Sequence, residues 1–177
     1  MNPTTAATGG VGHRSSAWRP SKPCVGWYMD APLLTDDFKE FLRLLNVHDV
    51  DYLLIGGYAV ALHGYPRATI DLDVWVRATW DNAARLVGAL QAFGFDSPRL
   101  APGLFVLPDQ IVRFGVPPFR IEVMTTISGV TYEECRANAE SHDVDGILVP
   151  VISRDDLKRN KRAAGRHKDL ADLEHLP

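Results

Sequence analysis

Two glycines close one apolar run, and two alternate aspartates open the next. Tyr52-Leu53-Leu54-Ile55 is followed by Gly56-Gly57, and thirteen residues later comes Asp71-Leu72-Asp73-Val74. Glycine after a strand lets backbone N–H groups close on a ligand. Carboxylates two apart on a strand share one face. On the strand expected over 69–76, Leu72, Val74 and Val76 therefore face one way and Thr69, Asp71, Asp73 and Trp75 the other. The two aspartates stand about 7 Å apart along that strand. The same parity in 120–125 separates Ile121 and Val123 from Glu122 and Met124. If the two strands are neighbours, Glu122 joins the pair.

Two carboxylates about 6 Å apart repel by roughly 3 kcal/mol at an effective dielectric of 20. Three together raise at least one pKa or splay apart unless a cation sits among them. Mg²⁺ takes a few carboxylates plus substrate phosphate oxygens, and a pair of such ions clamps both oxygens of a phosphoryl transfer. The bland reading is a wet strand face, although aspartate is disfavoured in strands. Gly56-Gly57 is neither a Walker loop nor a dinucleotide fingerprint, since Gly-Lys-Ser/Thr and G-x-G-x-x-G are missing. Its functional reading is a phosphate cradle at a helix start.

The chain has 177 residues and a net charge of −3, which suits one domain and argues against a broad basic surface. No uncharged apolar stretch approaches the roughly 18 residues that span a membrane. Cys24 and Cys135 form neither a metal spacing nor a disulfide framework, so a reducing cytoplasm is expected. Residues 1–28 are rich in Gly, Pro, Ser and Thr and carry no acid. They are expected to form a flexible tail before a domain over 29–177. They lack the apolar core of a secretory signal, and Gly and Pro oppose the amphipathic helix of a transit peptide. Met29 stands just before the first periodic segment, which fits a start codon placed too far upstream.

Thr35 is the expected cap of a first helix, with Phe38, Phe41, Leu42 and Leu45 as its apolar face. A short helix over Tyr58–His63 follows the first strand, and Gly64-Tyr65-Pro66 breaks it. Thr79 caps a third helix that stops at Gly94. Short strands are expected over Leu104–Leu107, Ile111–Phe114 and Arg120–Thr125, the last two joined by Gly115-Val116-Pro117-Pro118. Thr131 to Glu134 has capping-box spacing. Ile147–Ile152 reads as a last strand, placed at a sheet edge by Pro150. Ser153 caps a basic, then amphipathic, C-terminal helical segment. Together these elements make an α+β (mixed α/β) sheet with helices packed on it.

Ile55-Gly56-Gly57 with Asp71-Leu72-Asp73-Val74 resembles the signature of the DNA polymerase β-like nucleotidyltransferase superfamily. Arg67-Ala68-Thr69-Ile70-Asp71-Leu72-Asp73 looks like the fuller form in minimal and AbiEii-type bacterial nucleotidyltransferases. The run Arg120 to Gly129 resembles the strand that carries their third carboxylate, a position more often Asp than the Glu122 found here. Asn160 to Leu173 resembles their terminal motif. By that resemblance Lys161 contacts nucleotide phosphate, while Asp169 and Asp172 orient Lys or Arg side chains. Six of the eleven residues 158–168 are Lys or Arg, a positive patch that also reads as a solvated helix face.

The resemblance implies a nucleotidyltransferase-like mixed sheet and metal-dependent NMP transfer from an NTP. Phosphates would dock on Gly56, Gly57, Thr69 and Lys161, while Asp71, Asp73 and Glu122 hold Mg²⁺ or Mn²⁺. The acceptor is a hydroxyl of tRNA, protein or a small molecule, and AbiEii-type likeness implies a toxin with an antitoxin partner. Two alternatives stay open: a catalytically silent nucleotide-binding or interaction module of the same fold, and a plain α+β domain. Trp75 reads either as a base-stacking platform or as a packed cross-strand aromatic. His63, His142 and His167 form no ligand spacing, and each reads as a surface or helix-end histidine.

Overall fold

The computed structural model describes residues 34–116 and 119–177. The expectations for residues 1–28 and Met29, and the Pro117-Pro118 part of the β turn, lie outside them.

Local chemistry sets the helix starts. The Thr35 side chain accepts from the Phe38 N–H and begins helix α1 (Asp36–Val47), where Asp36 and Asp37 favour the positive end of the helix dipole. Phe38, Phe41, Leu42 and Leu45 are all buried on its inner face. Strand β1 (Tyr52–Leu54) runs into helix α2 (Gly56–Leu62), which begins two residues earlier than its sequence suggests. Strand β2 (Asp71–Val76) starts two residues later than expected, at Asp71. Thr79 caps helix α3 (Trp80–Ala92), and Thr131 with Glu134 completes a capping box on helix α4 (Tyr132–Ala137).

Strands β3 (Ile111–Val116), β4 (Phe119–Met124), β5 (Glu140–Val144) and β6 (Ile147–Val151) complete a six-stranded sheet of order β3-β4-β2-β1-β6-β5. It is mixed: β2 pairs with β4, and β1 with β6, in parallel, and the other pairings are antiparallel. Leu72, Val74 and Val76 point into the core, as their parity requires. The C-terminal segment is two helices, α5 (Arg154–Ala164) capped by Ser153, and α6 (His167–His175). Gly165 breaks them apart with a left-handed φ of 62°.

Two expectations need correction, and one strand went unforeseen. Leu104–Leu107 is not a strand: Pro102 opens a 3-10 turn over Pro102–Phe105, which drives Phe105 fully into the core. Pro150 does not mark an edge, because β6 lies between β1 and β5. The Ile152 N–H donates to Leu54 O, so by parity the missing Pro150 N–H also faces β1. There β1 has begun no pairing, since Leu54 with Val151 is the registered pair. The true edge, β5 (Glu-Ser-His-Asp-Val), has no apolar alternation to announce it. Its signal is the Asp145-Gly146 turn, both residues at positive φ as a two-residue hairpin demands.

Candidate active site

The site grows from one tight approach. Gly56 sits at φ +64°, and a Cβ there would stand 1.9 Å from Asp73 Oδ2. A Cβ on Gly57 would stand 2.5 Å from Thr69 Oγ1. Any side chain at either position would push the start of α2 off the open face of β2. The Ile55 N–H donates to Asp73 O at 3.0 Å and fixes the turn on the strand. The Gly57 N–H hydrogen-bonds to the Asp73 carboxylate, so the helix start is aimed at that aspartate.

Parallel pairing then assembles the carboxylates. Asp73 lies opposite Glu122, and Asp71 opposite Arg120, in the β2–β4 register. On the far side of β4, Glu122 is paired with Arg113 of β3. Burial first, and then the Glu122 charge, push the Asp73 carboxyl up to about 6 from 3.8, while Lys168 and the Gly57 N–H work against them. Arg120 grips Asp71 in a fork, Nε to Oδ1 at 3.0 Å and Nη2 to Oδ2 at 3.1 Å. Arg113 Nε holds Glu122 Oε1 at 2.7 Å. Each of these two acids therefore shares its charge with an arginine.

The C-terminal helices bring the third side. Lys161 is 3 % exposed and donates to Asp169 Oδ1 at 3.1 Å and Asp172 Oδ2 at 2.6 Å. Arg166 also binds Asp169, at 2.6 Å, and Arg67 grips Asp172 at 2.6 and 2.9 Å. Two buried aspartates thus hold three cations, which makes them positioning groups. Burial pushes both carboxyls up, but the hydrogen bonds from Arg166 and Lys161 to one, and from Arg67 and Lys161 to the other, outweigh it and hold both below the usual range.

All seven residues singled out in the sequence, Gly56, Gly57, Thr69, Asp71, Asp73, Glu122 and Lys161, line one cavity of about 520 Å³. Its wall also carries Arg67, Arg113, Arg120, Arg166 and Lys168; all but Arg113 lie inside the quoted motifs, yet sequence reasoning gave none of them a role of its own. Six basic groups face four acidic ones there, on a chain of net charge −3. Such a wall suits a polyanion. Trp75 is not part of it: the ring is 2 % exposed, donates to Thr125 O and packs edge-on against Tyr132.

The donor set fits a hard divalent ion. Carboxylate oxygens suit Mg²⁺ and Mn²⁺, and Mg²⁺ uses only one or two protein carboxylates with phosphate oxygens beside them. Asp73, beside the Glu122 charge and accepting a bond from the Gly57 N–H, could serve as a ligand for such an ion. Arg120 occupies both oxygens of Asp71, so a metal there must displace it, whereas Arg113 takes only Oε1 of Glu122 and leaves Oε2 open.

No known protein-family profile matches the chain, and no curated protein sequence does. Solved structures do. The lincomycin-bound lincosamide antibiotic adenylyltransferase LnuA superposes with a TM-score of 0.54 at 16 % identity, over 81 % of this chain and 99 % of that one. TM1012 of Thermotoga maritima, a candidate nucleotidyltransferase, superposes with a TM-score of 0.54 at 15 % identity, over 77 % and 88 %. The antibiotic-resistance factor ANT(2'')-Ia gives 0.50 at 10 % identity, over 78 % and 79 %. The chain therefore has the nucleotidyltransferase-type fold: a mixed six-stranded sheet with six helices among the described residues. No described helix is long and apolar enough to cross a membrane.

Proposed function

We propose that this protein is a metal-dependent nucleotidyltransferase that moves an NMP from an NTP to a hydroxyl acceptor. One observation carries the reading: Asp73 and Glu122 stand side by side across parallel strands, where the Gly56 turn closes on Asp73. The nucleotidyltransferase-type fold and the basic cavity wall support it.

In this reading the triphosphate lies along Gly56, Gly57, Thr69 and Lys161, with Arg67, Arg166 and Lys168 neutralising its charge. Asp71, Asp73 and Glu122 would hold Mg²⁺ or Mn²⁺, which would neutralise phosphate charge and stabilise the negative charge that builds on the leaving pyrophosphate. The acceptor oxygen forms a bond to the α-phosphorus, the bond from that phosphorus to the β-phosphate oxygen breaks, and pyrophosphate leaves. The acceptor proton passes to a carboxylate on the same face, Glu122 in our reading. Positioning and charge stabilisation then account for most of the acceleration.

The domain is taken as 29–177, acting in the cytoplasm. Acceptors to be tried are tRNA, protein hydroxyls and small hydroxylated molecules. The Arg67 to Asp73 motif supports an AbiEii-type toxin with an antitoxin partner, and the likeness to LnuA supports a small molecule. Incubation with each α-³²P-labelled NTP and these acceptors tests the reading, because label must appear on one of them. A second reading, nucleotide binding without turnover, is favoured by the arginines that hold Asp71 and Glu122. It expects NTP binding and no transferred label.

A further inference from the structure

A second cluster of ligating groups lies apart from the cavity. His63 caps the C-terminal end of α2, and Glu140 and His142 occupy alternate positions on edge strand β5. One nitrogen of each ring and one oxygen of Glu140 all lie within 4.8 Å of one another. None of the three lines the 520 Å³ cavity. We propose that His63, Glu140 and His142 form a site for a divalent transition ion of the zinc class, separate from the carboxylate centre.

Three features shape the site. His63 Nε2 lies 2.8 Å from Ile152 O, and a carbonyl only accepts, so Nε2 carries the proton and Nδ1 keeps its lone pair. A backbone carbonyl that orients a histidine through its other ring nitrogen is the usual support of a metal ligand. The two rings meet edge to face at 5.6 Å, which brings the imidazoles together without an intervening side chain. His142 Nε2 stands 3.6 Å from Glu140 Oε2, and β6 backs both residues, with Glu140 opposite Val151 and His142 opposite Val149.

The donor chemistry selects the ion. Two imidazoles and one carboxylate match Zn²⁺, Co²⁺ or Ni²⁺, whereas Mg²⁺ prefers an all-oxygen set. Three protein ligands leave a fourth position for water on the exposed side of Glu140. The ion would tie β5 to the end of α2 opposite Gly56, about 10 Å away along the helix. The chain would thereby sort two kinds of metal between two sites.

Co²⁺ titration of the tag-free full-length protein in excess Mg²⁺ tests this, read by visible absorption. One Co²⁺ per chain should bind and give the intense bands of a low-coordinate ion. His142→Gln, His63→Gln and Glu140→Gln should each weaken binding at least tenfold, and Zn²⁺ should displace the colour. Asp71→Asn/Asp73→Asn should leave the titration unchanged. Should His63→Gln fail to fold, the two β5 variants on the sheet edge decide the matter. The proposal is overturned if no low-coordinate spectrum appears, or if the spectrum survives His142→Gln and Glu140→Gln.

Discussion

Gly56 and Asp73 are packed so closely that a methyl group on the glycine would overlap the aspartate carboxylate, 1.9 Å from Oδ2. This approach ties the backbone turn to the carboxylate face. Gly56→Ala therefore carries both the left-handed strain and a displaced Asp73. The expected cost is about 2–4 kcal/mol of stability with loss of activity. Gly94 has φ +104° but nothing within 4 Å of its Cβ position. Gly94→Ala should cost about 1 kcal/mol and leave activity intact. Urea unfolding of the two variants separates close approach from strain alone.

Asp73 should destabilise the fold at neutral pH. Its folded carboxyl is raised to about 6, so between 3.8 and 6 the native state binds more protons than the unfolded chain. Stability then falls as pH rises through that window. The full shift corresponds to about 3 kcal/mol, which partial exposure reduces to about 1–2 kcal/mol. Asp73→Asn should raise Tm above pH 7, leave it unchanged near pH 3.5, and abolish activity. Added Mg²⁺ should narrow the gap by stabilising the wild type. Melting curves across pH, with and without Mg²⁺, give the comparison; equal Tm values at pH 7.5 would contradict it.

Lys161 behaves oppositely, since it compensates two buried acids. Lys161→Met leaves Asp169 and Asp172 short of a cation and should cost about 3 kcal/mol. Both carboxyls are held below their usual range. The stability they contribute is present above about 3.9 and lost as pH falls through their lower folded values. Amide exchange should therefore show α6 opening first in acid, before the sheet.

Much of this site is legible in the sequence, and the rest depends on tertiary neighbours. Thr35, Thr79, Thr131 and Ser153 announce their helices because a cap is a contact within one turn. The parity of Asp71, Asp73 and Glu122 gives their shared face once β2 and β4 are neighbours. Trp75 has the same parity, yet Tyr132 from α4 covers that end of the face, a contact no periodicity encodes. The arginine partners of Asp71 and Glu122 are likewise set by strand register. Strand β5 escapes notice because its edge position lets polar side chains fill it. Its histidine and glutamate meet His63 across 77 or more residues of chain.

Arg120 competes with metal for Asp71. Arg120→Ala should cost at most about 1 kcal/mol of stability, as the Arg120–Asp71 pair is partly exposed. Apparent Mn²⁺ affinity should rise, because Asp71 no longer has to be released. Electron paramagnetic resonance titration of free Mn²⁺ reads this directly. Unchanged affinity would mean that Asp71 is not a metal ligand.

The central claim is transferase chemistry at Asp71 and Asp73, and pyrophosphate release tests it most directly. Each NTP is supplied with Mg²⁺ or Mn²⁺, bulk tRNA and cell lysate, and wild type is compared with Asp71→Asn/Asp73→Asn. The account predicts metal-dependent release from at least one NTP that the double variant abolishes. Release that persists in the double variant, or none from any NTP, would contradict it.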